Sequence, residues 1–425
     1  MGIKKLFTFL DNNNLYKKYS YLNDLISDLD IDKNKLLVGV DGNLFCYKYT
    51  HSYDNMLIGF FNQILKFLSN KIIPLYIFDG GTLQEKENTN LFRYQKKIAY
   101  KYKLEQVEEQ IDIITNNTNN INNTNCDETN NKDELLLIKK KLEKNSTIIK
   151  NDNILILLEL FDLLNIPYLF SYGEGEYLAV MLNKYNIIDF FLSDDTDPLP
   201  AGINKTIKFY NNSVYYLETK QIYEQLNLNI NEFCDFCILL GSDYAIFNHY
   251  LKPIELYEII LKYKSIEQII SNNIIDCIND ETIIIVNKIR NIYYNSDNFE
   301  KNMFIKNKNI FNNNINSKKT LDNTTCNTTS INLIDHTNIS YYSNIILEFW
   351  DEYIDVISLT LNTSNNNVLI EKSDKLKSKI CKYIYKSKYN IKNIIKFIKN
   401  NIKDITSNEI NNMITSFEFL NKFGI

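Results

Sequence analysis

Apolar residues fall along this chain in two rhythms. Short unbroken runs in "KLLVGVDG" (35–42), "IIPLYIFDG" (72–80), "IPYLFSYGE" (166–174) and "IIDFFLSDDTDPLP" (187–200) each give way abruptly to Asp or Gly. Between them, "NMLIGFFNQILKFLSN" (55–70) and "EYLAVMLNKY" (176–185) repeat apolar residues at helical spacing. Continuous apolar strands alternating with helices predict an α/β fold, a mostly parallel central sheet flanked by helices on both faces. In such sheets the working crevice lies beyond the carboxyl ends of the strands, where Asp41, Asp79 and Asp195 stand. "KTIKFYNNSVYYLETK" (205–220) predicts a hairpin turning at Asn211 and Asn212.

Other stretches break the pattern. Residues 115–132 are almost devoid of apolar side chains and predict a mobile loop between charged helices at about 91–114 and 133–149. Residues 308–340 are again rich in Asn, Thr and Ser and read as a linker or long loop. Residues 271–307 read as a helical continuation and 341–425 as a helical C-terminal extension, strongest at "NIILEFWDEYIDVISLTL".

With 425 residues, 44% of them hydrophobic, the chain can bury a large core, and a net charge of -5 excludes a basic coat while allowing local basic patches. Asn, Ile, Lys and Tyr abound, a bias that AT-rich codons produce, so surface Asn and Lys carry little signal. Seven irregularly spaced cysteines fit reduced thiols. Cys234 and Cys237 form a lone C-x-x-C without further zinc ligands and read as small apolar residues on a helix. "MGIKKLFTFLD" lacks a signal-peptide core, and no apolar run reaches the roughly 20 residues of a membrane span, so a soluble intracellular protein is expected.

The chemistry sits in the carboxylates. Asp194, Asp195 and Asp197 follow a buried strand with no Lys or Arg between Asp189 and Lys205, so their partner is solvent or a bound cation. A polar turn accounts for them if they are taken alone. Asp41, Asp79, Glu174, Glu176 and Asp243 also stand at strand or helix ends, and such convergence suits hard divalent cations with oxygen ligands. Glu174 and Glu176 fit the first turn of a helix, Asp195 and Asp197 share a side if the strand extends through them, and Gly241 ends a helix begun near Asn231. Seven carboxylates can hold two metals about 4 Å apart.

In order and spacing, "MGIKKL", "VDGNLFCY", "YIFDGG", "IPYLFSYGEGEYLAVML", "SDDTD" and "FCILLGSDY" resemble the XPG-type flap endonucleases over residues 1–270. The resemblance implies a PIN-like 5′ nuclease core with an N-terminal part (1–95), a helical arch (91–150), an internal catalytic part (151–245) and a degenerate helix-hairpin-helix (246–270). It further implies one Mg2+ held by Asp41, Asp79, Glu174 and Glu176 and a second by Asp195, Asp197 and Asp243, with Mn2+ as substitute and Asp194 in the outer shell. Lys86 and Arg93 match the basic pair at the base of the arch that reaches the scissile phosphate. Tyr47 matches an aromatic that stacks on a base, and Gly2 a small residue beside the DNA path. In "FNHYLKP", Tyr250 and Lys252 occupy the family's glycine positions, which degrades its potassium site but leaves Lys252 a phosphate contact.

The implied partner is DNA with a 5′ flap or a single/double-strand junction, in replication, repair or recombination. Kept alongside are a 5′ exonuclease acting on RNA and a non-catalytic junction scaffold. "MITSFEFLNKFGI" lacks a sliding-clamp motif. The degenerate hairpin, helical tail and codon bias resemble the versions in large DNA viruses, poxviruses in particular, which would place the protein in the cytoplasm and otherwise in the nucleus. His51, His249 and His336 show no catalytic or metal spacing.

Overall fold

The computed structural model describes residues 2–318 except 33–35, 54, 82–83, 121–125 and 248–249, then 349, 352–353, 355–357, 366–387, 389–402 and a few positions between 406 and 416. In chain order the elements are α1 (Leu6–Asn12), β1 (Lys17–Tyr19), α2 (Leu22–Asp28), β2 (Leu37–Asp41), α3 (Gly42–Ser52), α4 (Met56–Ser69) and β3 (Ile73–Phe78). A 3-10 turn, Gln84–Lys86, leads into the long helices α5 (Glu87–Asn120) and α6 (Cys126–Ser146). There follow α7 (Asn151–Leu163), β4 (Tyr168–Phe170), α8 (Gly175–Lys184), β5 (Phe190–Leu192), β6 (Lys205–Tyr210) and β7 (Ser213–Glu218). The chain continues through α9 (Thr219–Leu226), α10 (Ile230–Leu240), α11 (Pro253–Tyr263), α12 (Ile266–Ser271), α13 (Asp280–Lys318), α14 (Asn366–Lys386) and α15 (Ile391–Asn401).

The seven strands form one mixed sheet in the order β1-β7-β6-β5-β2-β3-β4. From β6 to β4 all neighbours are parallel, and β7 and β1 add an antiparallel edge. The apolar runs of β2 to β5 are buried along their length because helices cover both faces. Aromatic packing is dense at the centre, where Tyr76 and Phe161 stack at 4.4 Å and Phe60 meets Tyr76 edge-on at 5.4 Å. The β6–β7 hairpin turns at Asn211 and Asn212, both at positive φ (47° and 57°), as a two-residue loop with primed geometry requires.

Several expectations change. The Asn-rich stretch 115–132 is helical to Asn120 and again from Cys126, since α5 and α6 extend into it from both sides, and only 121–125 lie outside the described residues. Likewise α13 runs to Lys318, through the first part of the supposed linker, whose remainder lies outside the described residues. Residues 251–270 form two helices, α11 and α12, separated at Lys264, which takes a left-handed conformation (φ 68°) that breaks the ladder. In the preceding hairpin Tyr250 and Lys252 are exposed, and Asn248 and His249 are outside the described residues. The last segment, "MITSFEFLNKFGI", falls largely outside them too.

The C-terminal helices dock at the amino ends of the parallel strands. Buried Lys377 on α14 donates to Asp189 Oδ1 (2.8 Å), whose other oxygen accepts from Leu37 N (2.9 Å), and Tyr385 donates to Lys71 O (2.8 Å). Among the described residues no helix is long and apolar enough to cross a membrane.

Candidate metal centre

Parallel strands deliver their carboxyl ends to one place, and the carboxylates follow. Asp41 is the last residue of β2 and caps α3, accepting from Leu44 N (2.9 Å) and from Ser193 Oγ (2.9 Å). Asp79 follows β3 and accepts from Gly175 N (2.7 Å) and from Asn43. Glu174 is the N-cap of α8 and Glu176 lies in its first turn.

The strand does not extend through Asp195 and Asp197, as alternation would need; β5 stops at Leu192. A local turn unites the two instead, Asp195 Oδ1 accepting from both Thr196 N (2.6 Å) and Asp197 N (3.2 Å). Ser193 Oγ holds Asp195 N at 3.0 Å, tying the turn to Asp41. Gly241, at φ 88°, ends α10 and releases Asp243 into the crevice.

Glu176, Asp195 and Asp197 form the tightest group, with one oxygen from each within 4.8 Å of the others. Asp197 is completely buried, and among the described residues neither of its oxygens has a hydrogen-bond partner. Burial, then Asp195 and Glu176, raise its carboxyl well above the usual range. Asp195 is pushed up to about 6 by burial and Glu176, and burial raises Asp41 to about 8. A divalent cation is the group that reverses such shifts, and this all-oxygen donor set with an unpartnered buried carboxylate fits one.

Cations that the local sequence lacks come from distant segments. Lys86, in the 3-10 turn before α5, is buried among acids: it bonds Glu174, donates to Glu176 Oε1 (3.0 Å) and lies 3.8 Å from Asp197 Oδ2. Burial lowers its pKa, but Glu176 and Glu174 outweigh that and hold it firmly charged. Lys48 pairs with Asp194 (2.9 Å), so Asp194 stands apart from the tight group. Arg93 binds both oxygens of Asp243 at 2.7 Å, and Thr89 Oγ1 donates to Asp243 O (2.7 Å). Lys97 bonds Tyr47 Oη (3.0 Å) and covers its ring at 4.2 Å. Lys86, Thr89, Arg93 and Lys97 therefore form one stripe at helical spacing that fastens the base of α5 to the centre.

Gly2 also lies here, at φ 79°, where a Cβ would collide with the Asp195 carboxylate, and Ile3 N donates to Thr196 Oγ1 (3.1 Å). Lys252 is far from this cluster in role: it is the exposed N-cap of α11, its backbone N held by Glu255. Sequence reasoning missed Ser193, Asn43 and Lys48. Ser193 was visible in "LSDDTD" and Asn43 in "VDGNLF", but nothing near Lys48 signals its pairing with Asp194.

The XPG N-terminal domain matches residues 1–99 and the XPG I-region matches residues 165–243. All seven of these carboxylates lie inside the two segments. The chain is 24% identical over 336 residues to a probable RAD2-like endonuclease of Invertebrate iridescent virus 6, covering 68% of this chain and 78% of that one. It is 26% identical to flap endonuclease 1 of Enterocytozoon bieneusi, over 64% of this chain and 72% of the relative. Among solved structures, the catalytic core of Rad2 in complex with DNA substrate is similar in fold, with a TM-score of 0.50 and 14% identity, over 98% of this chain and 100% of that one. The chain thus carries both an XPG N-terminal domain and an XPG I-region, each with its share of the acidic cluster, and its homologues are flap endonucleases and RAD2-like endonucleases.

Proposed function

We propose that this protein is a Mg2+-dependent, structure-specific DNA endonuclease that hydrolyses phosphodiesters at 5′ flaps or single/double-strand junctions. The observation that carries the reading is Asp197, a fully buried carboxylate whose two oxygens lack hydrogen bonds among the described residues, set beside Glu176 and Asp195. Asp41, Asp79, Glu174 and Glu176 would hold one ion, and Asp195, Asp197 and Asp243 the other. Bound divalent ions supply an activated water and neutralise charge on the phosphate oxygens. Mn2+, with the same ligand preference, would substitute.

Lys86 and Arg93 are the cations nearest the cluster, and each is engaged by a carboxylate. With Glu174, Glu176 and Asp243 engaged as ligands, Lys86 and Arg93 would be free to meet a phosphate. Tyr47, under Lys97, offers a ring that stacks on any base, as structure rather than sequence recognition requires. The named activities of the relatives, RAD2-like and flap endonucleases, support the substrate class. A non-catalytic junction scaffold gains nothing from a buried carboxylate that lacks hydrogen bonds and is crowded by other acids, which only lowers its stability.

The test is cleavage of an end-labelled 5′-flap duplex with Mg2+, beside EDTA and the Asp195→Asn variant. Expected is metal-dependent cutting near the junction that falls at least about 100-fold in the variant. An RNA version of the flap cut as fast as DNA would shift the substrate class to RNA. Junction binding without cutting in Mg2+ or Mn2+ would favour the scaffold.

A further inference from the structure

We propose that Glu300, on α13, is a positioning residue for the metal centre: it clamps the Ser171–Gly173 turn and thereby fixes Glu174 and Asp79 relative to each other. This rests on the nuclease reading above, but Glu300 lies outside both family segments and holds none of the proposed ions.

Glu300 is 1% exposed. Its Oε1 accepts from Ser171 Oγ (2.6 Å) and Gly173 N (2.8 Å), and its Oε2 accepts from Tyr172 N (3.0 Å). Three donors converge on one carboxylate, and among the described residues no Lys or Arg pairs with it; the adjacent Lys301 turns away to Tyr185 Oη (3.4 Å). On its other side the same turn is tied to the residues after Asp79, because Gly173 O accepts from Gly80 N and Gly81 N, both at 3.0 Å. Gly175 N then donates to Asp79 Oδ1 at 2.7 Å. The peptide that Glu300 grips is thus one residue from Glu174 and one hydrogen bond from the Asp79 loop.

A carboxylate is an expensive way to fill a core, and an apolar residue would pack there at lower cost. What it offers is acceptance from several donors at once. Burial raises Glu300 to about 7 although all three donors pull the other way. Gln has the same shape, but its NH2 group must face at least one of the three donors, which loosens the turn without removing volume. Contacts of this kind behind metal ligands typically govern metal affinity about 10- to 100-fold.

The experiment compares wild type, Glu300→Gln and Ser171→Ala by electron paramagnetic resonance titration of Mn2+ into DNA-free protein, at a temperature where circular dichroism shows each folded. Flap cleavage against Mg2+ concentration is measured in parallel. Expected are a Mn2+ dissociation constant and a half-saturating Mg2+ concentration raised about tenfold in Glu300→Gln, with KM for the flap within about twofold of wild type. Ser171→Ala, which removes one donor, should shift Mn2+ affinity the same way by a smaller factor, and it decides the matter if Glu300→Gln does not fold. Mn2+ affinity within about twofold of wild type in the folded variants overturns the proposal and leaves Glu300 a packing residue. Wild type that binds Mn2+ but cuts no flap refutes the nuclease reading alone, since the Mn2+ comparison still decides Glu300. Wild type that binds no Mn2+ refutes both.

Discussion

Replacing Asp197 with Asn should stabilise the metal-free protein while destroying its response to metal. Asp197 lies 3.8 Å from the Lys86 ammonium and within 4.8 Å of Asp195 and Glu176 oxygens. At an effective dielectric constant of about 20, the attraction amounts to roughly 4 kcal/mol and each repulsion to roughly 3.5 kcal/mol, leaving about 3 kcal/mol unfavourable. Because burial and these neighbours also raise the Asp197 carboxyl, a bound proton relieves part of that, and the gain from Asn is about 1–3 kcal/mol. The Asn amide can also donate to Asp195 or Glu176, where the carboxylate had no partner. Urea unfolding in EDTA should therefore place the variant's midpoint above that of wild type. With Mg2+ at 100 times its dissociation constant, wild type should gain about 2.7 kcal/mol and the variant far less. A variant less stable than wild type in EDTA, or stabilised equally by Mg2+, would refute the reasoning.

Lys86→Met leaves Glu174 and Glu176 buried without their cation and should destabilise the EDTA-treated protein by about 3–5 kcal/mol, with millimolar Mg2+ recovering part of it in the same urea assay. Glu267 is half exposed, and hydrogen bonding to Arg290 holds its carboxyl down at about 2 against an ordinary 4.5. Since the folded value is the lower one, the stability gap between wild type and Glu267→Gln should be full above pH 4.5 and close as pH falls toward 2; a gap that widens on acidification contradicts the pairing. Gly2→Ala, at φ 79° and against Asp195, should lower flap cleavage about tenfold or more with little change in the urea midpoint, and unchanged turnover would mean that the N-terminus yields freely.

Much of the fold was legible because its central strands are buried on both faces and so read as continuous apolar runs. The Asn211–Asn212 turn was legible because few residues tolerate its dihedral angles. Edge strand β1, "KKY", was not, since three polar and partly exposed residues carry no period and are placed by pairing with β7 and by Asp28 of α2, which bonds Lys17 and Tyr19. Helix ends in the Asn-rich stretches were misplaced because propensity alone assigns a loop to residues into which α5 and α6 continue.

Within the site, the sequence by itself determined the acids, for it sets which residue types stand at strand ends, and chain connectivity then brings parallel carboxyl ends together. It could not determine their partners. Lys86 meets Glu174 across 88 residues, Lys48 meets Asp194 across 146, and Ser171 meets Glu300 across 129. A buried charge is satisfied by whatever group the tertiary structure carries within a few ångströms, and no local pattern records that choice. The tertiary structure alone decided that Asp197 would be left without a hydrogen bond, and with it where a metal is wanted.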